Sequence, residues 1–261
     1  MPSPPRKRFG QHFLHEQAII QRIIDAIAPD KKTPIVEIGP GLGALTIPLL
    51  QCTKKLDVIE IDRDLAHKLI GNCRGIGQLC MHNCDALKFD FRTLHNGKLK
   101  VIGNLPYNIT TPLLFHLLNQ IGCIEEMLFM MQKEVVDRIC ANPHSRDYGR
   151  LTVMLQSQCQ AERLFAVSQE AFLPPPNVKS SVVRLTPLPP QEYKIKDQGL
   201  FGRIVKQAFN HRRKTLRNAL KGLVDEAALA RHGIASTSRA ENLTVHDYAR
   251  IANTLYDMDN Q

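Results

Sequence analysis

The chain of 261 residues is long enough for one large domain, or for a main domain with a smaller one attached to it. Hydrophobic residues make up 43% of it and charged residues 23%, a balance that supplies a hydrophobic core and excludes an intrinsically disordered chain. Its 34 Lys and Arg against 25 Asp and Glu give a formal net charge of +9, which favours a polyanionic partner such as nucleic acid or a membrane surface.

Strands and helices alternate along the first half of the chain. Isoleucines at helical spacing predict an amphipathic helix over 15–28: Ile19, Ile20, Ile23, Ile24 and Ile27. The elements expected after it are a strand at 34–38, a helix at 43–51, a strand at 56–60, a helix at 63–73, and strands at 78–82, 99–103 and 125–130. This alternation predicts βαβ units and a parallel sheet.

The pattern changes near residue 159. Strands are expected at 161–167 and 180–185 with no long helix between them, which predicts an antiparallel pair at the edge of the sheet. A proline-rich linker follows at 187–190, and the rest of the chain has helical spacing. We therefore expect an α/β domain at 1–189 and a small all-α domain at 190–261.

Local composition argues against several classes of protein. No segment approaches the roughly 18 apolar residues of a membrane span, and the basic N-terminus lacks the apolar stretch of a secretory signal. Seven scattered cysteines suit a reducing cytoplasm better than a disulfide framework. The group Cys80, His82 and Cys84 lacks the second ligand cluster of a zinc site, so we expect no metal and no membrane association.

A glycine-rich turn joins the strand at 34–38 to the helix after it. Gly39, Gly41 and Gly43 let a ligand approach the backbone, and the start of the helix offers free N–H groups. The spacing fits both a dinucleotide fingerprint and the looser pattern of S-adenosylmethionine enzymes. Glu60, which ends the next strand, suits a ribose diol in either case, so this loop leaves both cofactors open.

Asp85 follows the third strand and favours a nucleoside cofactor. Its carboxylate can accept a hydrogen bond from the exocyclic amine of an adenine. Three consecutive strand ends would then hold one nucleoside. The alternative is that Asp85 only caps a turn.

The fourth strand ends in Asn104-Leu105-Pro106-Tyr107, which suits methylation of an exocyclic adenine nitrogen. That nitrogen is a poor nucleophile, because its lone pair is delocalised into the ring. The side-chain oxygen of Asn104 and a backbone carbonyl after it can accept the two N–H bonds and make the nitrogen more nucleophilic. Pro106 stiffens the turn, and the ring of Tyr107 can stack on a base for about 1–3 kcal/mol. A polar turn with a solvated tyrosine is the alternative.

Six segments together resemble the ribosomal RNA adenine N6,N6-dimethyltransferase family, and within it the bacterial small-subunit (16S) branch. They are R-K-R-F-G-Q-H-F-L at 6–14, V-E-I-G-P-G-L-G-A-L-T at 36–46, V-I-E-I-D-R-D at 58–64, N-L-P-Y-N-I at 104–109, F-L-P-P-P-N-V-K-S-S-V-V-R-L at 172–185 and F-N-H-R-R-K-T-L-R-N at 209–218. The resemblance implies S-adenosylmethionine as cofactor and a Rossmann-like methyltransferase sheet, mostly parallel with one antiparallel edge strand. It also implies dimethylation of two adjacent adenosines near the 3′ end of 16S rRNA in the 30S particle, with a role in small-subunit biogenesis.

The resemblance assigns roles to the matching positions. Asn104, Leu105, Pro106 and Tyr107 are implied to be catalytic, with Phe172 facing Tyr107 across the target base. The implied cofactor-binding residues are His12, Leu14, Gly39, Gly41, Gly43, Glu60, Asp85, Ala86 and Asn104. His12 departs from the family, which often has Asn at that position, so its contact is expected to differ in geometry.

Basic residues without acidic neighbours predict how RNA is held. Seven lie between 203 and 221: Arg203, Lys206, Arg212, Arg213, Lys214, Arg217 and Lys221. The N-terminal residues Arg6, Lys7 and Arg8 form a second cluster. A charged run is commonly a solvated face, but the absence of carboxylates and the presence of a base-binding motif favour contacts with RNA phosphates. The target adenine has to be unstacked, which a single-stranded loop makes easy.

Four other functions stay open. A relative that modifies 23S rRNA shares the motifs, a DNA adenine methylase shares the chemistry, and a nicotinamide oxidoreductase shares the glycine loop. A ribosome assembly factor whose methylation is secondary belongs to a different class. We expect a cytoplasmic monomer, since nothing in the sequence requires a higher oligomer.

Overall fold

The computed structural model describes residues 12–189 and 192–260, which fold into two compact units. The first unit takes in the described part of Met1–Val136 together with Glu162–Pro187. The second takes in Asp137–Ala161 and the described part of Leu188–Gln261. The later part of the second unit begins at Leu188, close to the expected boundary at 189/190. The earlier part, Asp137–Ala161, lies in the range that was expected to belong to the first domain. The division into domains at 1–189 and 190–261 stays a prediction.

The described strands form one seven-stranded sheet and one two-stranded sheet. They are β1 (Phe13–Leu14), β2 (Ile35–Ile38), β3 (Lys55–Ile59), β4 (Gln78–His82), β5 (Leu99–Asn104), β6 (Ile124–Gln132), β7 (Cys159–Val167), β8 (Phe172–Leu173) and β9 (Ser180–Pro187). The large sheet has the order β4-β3-β2-β5-β6-β9-β7, and the small one pairs β1 with β8. Strands β4, β3, β2, β5 and β6 run parallel, whereas β9 runs antiparallel to β6.

The described helices follow the strands in the expected alternation. They are α1 (Gln17–Ile27), α2 (Thr46–Thr53), α3 (Arg63–Asn72), α4 (Thr110–Leu118), α5 (Lys133–Ile139), α6 (Arg150–Gln156), α7 (Gln198–Asn210), α8 (Leu216–Ala219), α9 (Glu226–Arg231) and α10 (Val245–Asp259). The predicted mostly parallel α/β sheet and helical C-terminal part are therefore confirmed. None of the helices in the described ranges combines the length and the apolar composition that crossing a membrane requires.

The core of the first unit forms around β2, all four residues of which are buried. A parallel strand is covered on both faces, so a continuous apolar run rather than an alternating one is expected there. Helix α1 adds its stripe of isoleucines, among which Ile23 and Ile27 are 1% exposed. Burial of each such side chain contributes about 1.5–3 kcal/mol. This packing fixes the sheet at whose strand ends the site lies.

One detail at the start of helix α2 differs from the sequence expectation. Helix α2 begins at Thr46 rather than near 43, because Gly41 and Gly43 have φ angles of +56° and +93° and prolong the turn. At the sheet edge β7 and β9 are neighbours, as expected, and β9 also pairs antiparallel with β6 on its other side.

The second unit has a hydrophobic core of its own. Its largest buried side chains include Tyr148 and Tyr248, whose hydroxyls donate to the backbone carbonyls of Leu243 and Ala240, each at 2.8 Å. Both phenols need such a partner, because a buried unsatisfied hydroxyl costs about 1–3 kcal/mol.

Candidate active site

A cavity of about 580 Å³ opens at the carboxyl ends of the parallel strands in the first unit. This edge of an α/β sheet is where ligands bind, and the volume lies within the roughly 300–1,000 Å³ typical of small-molecule sites. The cavity brings together most of the predicted site residues: His12, Leu14, Gly39, Gly41, Glu60, Asp85, Ala86, Asn104, Leu105, Pro106 and Tyr107. Gly43 and Phe172 are not among its lining residues.

The three glycines of the loop have different surroundings. Gly41 has a φ of +56°, and a Cβ there would lie 3.2 Å from the ring of Phe13. Gly43 packs against helix α3, since a Cβ would lie 2.6 Å from Leu69 Cδ1. Gly39 and Gly41 line the cavity, whereas the small size of Gly43 serves the packing of helix against loop. A role of Gly43 in binding the cofactor stays a prediction.

Glu60 is held rigidly at the wall of the cavity. Its two carboxylate oxygens accept from the backbone N–H groups of Gly41 at 3.3 Å and Asp62 at 2.9 Å. The side chain is buried, and desolvation raises its pKa. Each oxygen has a second lone pair, so this carboxylate can still accept a hydrogen bond from a ligand hydroxyl.

Asp85 combines the two roles that the sequence left open. Its Oδ1 accepts from the N–H of Leu87 at 2.9 Å and so caps the short 3₁₀ turn Ala86–Lys88. The residue also lines the cavity. Its other oxygen accepts no hydrogen bond from any residue that the structure describes, which leaves it available to an exocyclic amine.

His12 contacts Asn104 through its backbone and Tyr107 through its ring. Its carbonyl accepts from Asn104 Nδ2 at 3.1 Å. Its ring donates from Nδ1 to the carbonyl of Pro174 at 2.8 Å and stacks on Tyr107, with centroids 5.8 Å apart and planes inclined by 29°. Leu14 follows two residues later with its side chain 6% exposed in the core.

The hydrogen bond to His12 determines how the amide of Asn104 is oriented. The amide nitrogen donates to that carbonyl, and the amide oxygen accepts no hydrogen bond from any described residue. Next along the chain, the N–H of Leu105 donates to Met130 in β6 at 2.9 Å, which fixes the turn to the sheet. The carbonyl of Pro106 accepts from Ile109 and from the hydroxyl of Thr110, and so starts helix α4.

Tyr107 presents its ring to the cavity while its hydroxyl is anchored elsewhere. The hydroxyl shares a hydrogen bond with Ser180 Oγ at 2.8 Å. Burial raises the pKa of the phenol, so the group stays neutral and is poorly suited to act as a base. The ring is the part that a ligand can reach.

Phe172, which the resemblance implied to face Tyr107 across the target base, is buried beside the cavity, and that role stays a prediction. Its side chain is 1% exposed and belongs to the hydrophobic core. The reason is strand alternation: in the β1–β8 pair Phe172 lies opposite buried Leu14, and the next residue, Leu173, points the other way. Leu173 lines the cavity in its stead.

Glu37 is a cavity residue that the sequence analysis did not single out. It lies on β2 with 2% exposure, and the hydroxyl of Thr46 donates to its Oε2 at 2.6 Å. Desolvation raises its pKa to about 7. The signal in the sequence was a lone acid inside an otherwise apolar buried strand, directly before the glycine turn.

The model of the ribosomal RNA adenine dimethylase family matches residues 3–257 of the chain. The chain belongs to this family. A protein of Nitrosococcus oceani named ribosomal RNA small subunit methyltransferase A is 55% identical over 245 residues, 93% of this chain and 93% of that one. A protein of the same name from Methylococcus capsulatus is 52% identical over 254 residues, 96% of this chain and 98% of that one. The predicted family and enzyme class are thus confirmed: the protein is an rRNA adenine dimethyltransferase.

The fold agrees with that of a solved relative. A dimethyladenosine transferase from Plasmodium falciparum superposes with a TM-score of 0.81 at 24% identity, covering 95% of this chain and 98% of that one. The nicotinamide oxidoreductase rested only on the glycine loop, and the DNA methylase rested only on the Asn-Leu-Pro-Tyr chemistry. Membership of the rRNA dimethylase family accounts for both features, so neither alternative keeps any support.

The basic residues predicted to bind RNA differ in their surroundings within the second unit. Arg212 is engaged: its Nε lies 2.6 Å from Glu241 Oε2, and its Nη2 donates to the carbonyl of Arg146. Arg217 is exposed and pairs with Glu226 at 3.0 Å. The remaining five are exposed and form no ion pair with a described residue: Arg203, Lys206, Arg213, Lys214 and Lys221. Arg6, Lys7 and Arg8 lie outside the described residues.

Proposed function

We propose that this dimethyltransferase transfers methyl groups from S-adenosylmethionine to the N6 amines of two adjacent adenosines near the 3′ end of 16S rRNA, within the small ribosomal subunit. The orientation of Asn104 carries the proposal. Its amide nitrogen is tied to the His12 carbonyl at 3.1 Å, and its oxygen is left facing no described donor at the cavity that Tyr107 also lines. An acceptor held in this way suits an amine that must be oriented for transfer.

The cavity suits a cofactor with a ribose, an adenine and a charged amino-acid end. Glu60, fixed by two backbone N–H groups, is proposed to accept from the ribose hydroxyls. The Asp85 oxygen that is not used in capping is proposed to accept from the adenine amine. Gly39 and Gly41 leave room for the cofactor to pass close to the backbone of the loop, because neither carries a side chain into the cavity. S-adenosylmethionine supplies a methyl group on a positively charged sulfur.

The protein's part in the transfer is to orient the target amine. The side-chain oxygen of Asn104 is proposed to accept one N–H of the adenine amine. Leu105 supplies the second acceptor through its carbonyl, because the carbonyl of Pro106 is already used by Ile109 and Thr110. Holding both N–H bonds concentrates the lone pair on nitrogen and aims it, an effect of positioning rather than of base catalysis. As the N–C bond forms, the sulfur–carbon bond breaks, and the surplus proton leaves the amine for water.

The ring of Tyr107 is proposed to support the base by stacking. Its hydroxyl is anchored to Ser180, and the His12 ring lies 5.8 Å from it, so the ring is held in place before the base arrives. Stacking of a base on an aromatic ring contributes about 1–3 kcal/mol. The same contact serves both adenosines, since it reads no sequence.

The small subunit is proposed as the substrate because the relatives that are 55% and 52% identical are both named small subunit methyltransferases. The exposed basic residues Arg203, Lys206, Arg213, Lys214 and Lys221 are proposed to contact RNA phosphates, together with the N-terminal Arg6, Lys7 and Arg8. The protein would act as a monomer in the cytoplasm, where subunits are assembled, and contribute to subunit biogenesis.

The proposal is tested by replacing Asn104 with Ala. Unmethylated small subunits are incubated with labelled S-adenosylmethionine and either wild type or Asn104→Ala, and transferred label is counted. We expect transfer to fall at least a hundredfold, since the amine loses its main acceptor, while calorimetric cofactor affinity changes by no more than about fivefold. Asn108→Ala is the matched control, because Asn108 lines the same cavity four residues later. Full transfer by Asn104→Ala would refute the assigned role.

The same variant separates the enzyme from an assembly factor whose methylation is secondary. If Asn104→Ala binds the subunit normally and subunits mature at the normal rate in cells that carry it, the methyl groups are dispensable for biogenesis. If maturation is delayed, the methylation itself contributes.

A further inference from the structure

Leu173 is the most exposed large hydrophobic side chain among the residues that the structure describes, with a relative exposure of 66%. The next four, Ile61, Ile70, Val178 and Met258, are between 41% and 50% exposed. Leu173 also lines the cavity of the active site. A side chain exposed to this degree cannot lie deep in the cavity. It stands at the mouth, with most of its apolar surface directed to whatever approaches from outside.

The backbone under Leu173 is held on both sides. Leu173 pairs with Phe13 in the β1–β8 sheet, and the neighbouring Phe172 is anchored in the core. Hydrogen bonds extend the pairing in both directions: His15 donates to Ala171 at 3.0 Å, and the ring of His12 donates to Pro174 at 2.8 Å. The leucine is therefore presented by a fixed platform, although its own side chain contributes little to the core.

What approaches this mouth is RNA, if the proposed function holds. A base that enters the cavity leaves behind a gap between the bases that stacked on it, and the faces of those bases are apolar. Proteins that separate stacked bases commonly insert Leu, Ile, Met or Phe into such a gap. We propose that Leu173 fills the stacking position that the target adenine vacates when it enters the cavity.

The proposal rests on the proposed function and adds a positioning residue to it. Leu173 takes no part in the transfer. It lowers the free energy of the state in which the adenine is out of its stack, so its contribution depends on there being a stack to replace. This dependence distinguishes it from a residue that contacts the target base itself.

The test uses small subunits whose 3′ RNA segment is a ligated synthetic oligonucleotide. One set carries 2-aminopurine at a target position, because its fluorescence rises when the base is unstacked. A second set carries normal target adenosines for single-turnover methyl transfer. A third set carries a single target adenosine between two abasic nucleotides, one of which takes the second target position, so no stack remains to be replaced. The proteins compared are wild type, Leu173→Ala, Leu173→Met and Ile70→Ala. Ile70 is an exposed apolar residue that does not line the cavity.

We expect Leu173→Ala to reduce the rise in 2-aminopurine fluorescence and to slow transfer on normal particles about tenfold, the effect of losing a buried aliphatic side chain. Leu173→Met should restore both, and Ile70→Ala should behave like wild type. On the abasic particles wild type and Leu173→Ala should transfer at equal rates, with equal calorimetric affinity for S-adenosylmethionine.

Two results would overturn the proposal. Equal slowing of Leu173→Ala on normal and abasic particles would assign Leu173 to the target base or to the structure of the loop. Unchanged fluorescence and unchanged rates would leave it without a role in the reaction. Absence of transfer by the wild type itself would instead refute the proposed function, and this proposal with it.

Discussion

Replacing Glu37 by Gln is expected to remove a pH dependence from the stability of the first unit. The carboxyl is 2% exposed, and burial raises its pKa to about 7 even though Thr46 donates a hydrogen bond to it. In the unfolded chain the same carboxyl ionises near its ordinary pKa of 4.5. Between these pH values the folded protein holds one more proton than the unfolded chain, so its free energy of unfolding falls as the pH rises.

The magnitude follows from the two pKa values. A difference of roughly 2.5, at about 1.4 kcal/mol per pKa unit, corresponds to about 3 kcal/mol. This stability is fully present below pH 4.5 and is lost by the time the pH has risen through about 7. Glu37→Gln keeps the shape of the side chain and an oxygen that can accept from Thr46. It should therefore match the wild type at the acid end and exceed it by about 3 kcal/mol above neutrality.

The assay is urea unfolding between about pH 5 and about pH 8, followed by circular dichroism because the chain has no Trp. Hydrogen exchange assigns the transition to the first unit, since the two units need not unfold together. Glu125→Gln is the control, because Glu125 is an exposed acid on β6. Parallel stability curves for wild type and Glu37→Gln would show that Glu37 does not bind the extra proton in the folded protein.

Three further substitutions test other parts of the structure. Gly103→Ala should lower the melting temperature by several degrees and slow methyl transfer, because its Cβ would lie 2.4 Å from a carbonyl oxygen of β2 directly before the proposed catalytic turn. Gly71→Ala in helix α3, where a Cβ meets nothing within 4 Å, should be neutral or stabilise by up to about 1 kcal/mol. Arg212→Ala should lower the melting temperature of the second unit, because the guanidinium holds a carboxylate and a backbone carbonyl there, whereas Arg213→Ala should leave melting unchanged and weaken subunit binding with a flatter salt dependence. Tyr107→Phe should retain at least a third of the transfer rate, because the stacking ring survives the loss of the hydroxyl bond, and Tyr107→Ala should lose about tenfold to hundredfold. Calorimetry compares the two glycine variants, filter binding compares the two arginine variants, and labelled transfer compares the two Tyr107 variants. Equal effects within any one pair would contradict the roles assigned to its residues.

The parts of the site that lie at strand ends were predictable from sequence. Glu60, Asp85 and Asn104 each end or follow an apolar run, and parallel strands bring their carboxyl ends to one edge of the sheet. A correct strand order was not needed for this inference, because every parallel strand contributes to the same edge. In the structure all three residues line the same cavity.

The contacts between distant segments were not predictable. The His12 carbonyl that orients Asn104 is a backbone group 92 residues away in the chain, and no side-chain pattern reports it. Phe172 and Leu173 are adjacent, and a shift of one residue in strand register decides which of them is buried. The run of basic residues likewise concealed that Arg212 pairs with Glu241, since composition does not reveal partners supplied by another part of the fold.

Identifying the modified nucleosides decides whether this chain dimethylates adenosines in small-subunit RNA. Small subunits isolated without methylation at the 3′ end of their RNA are incubated with the protein and S-adenosylmethionine, the RNA is digested, and the products are identified by mass spectrometry with sequence mapping. We expect N6,N6-dimethyladenosine at two adjacent positions near the 3′ end of the small-subunit RNA. The absence of this nucleoside, or its formation only in large-subunit RNA, would contradict it.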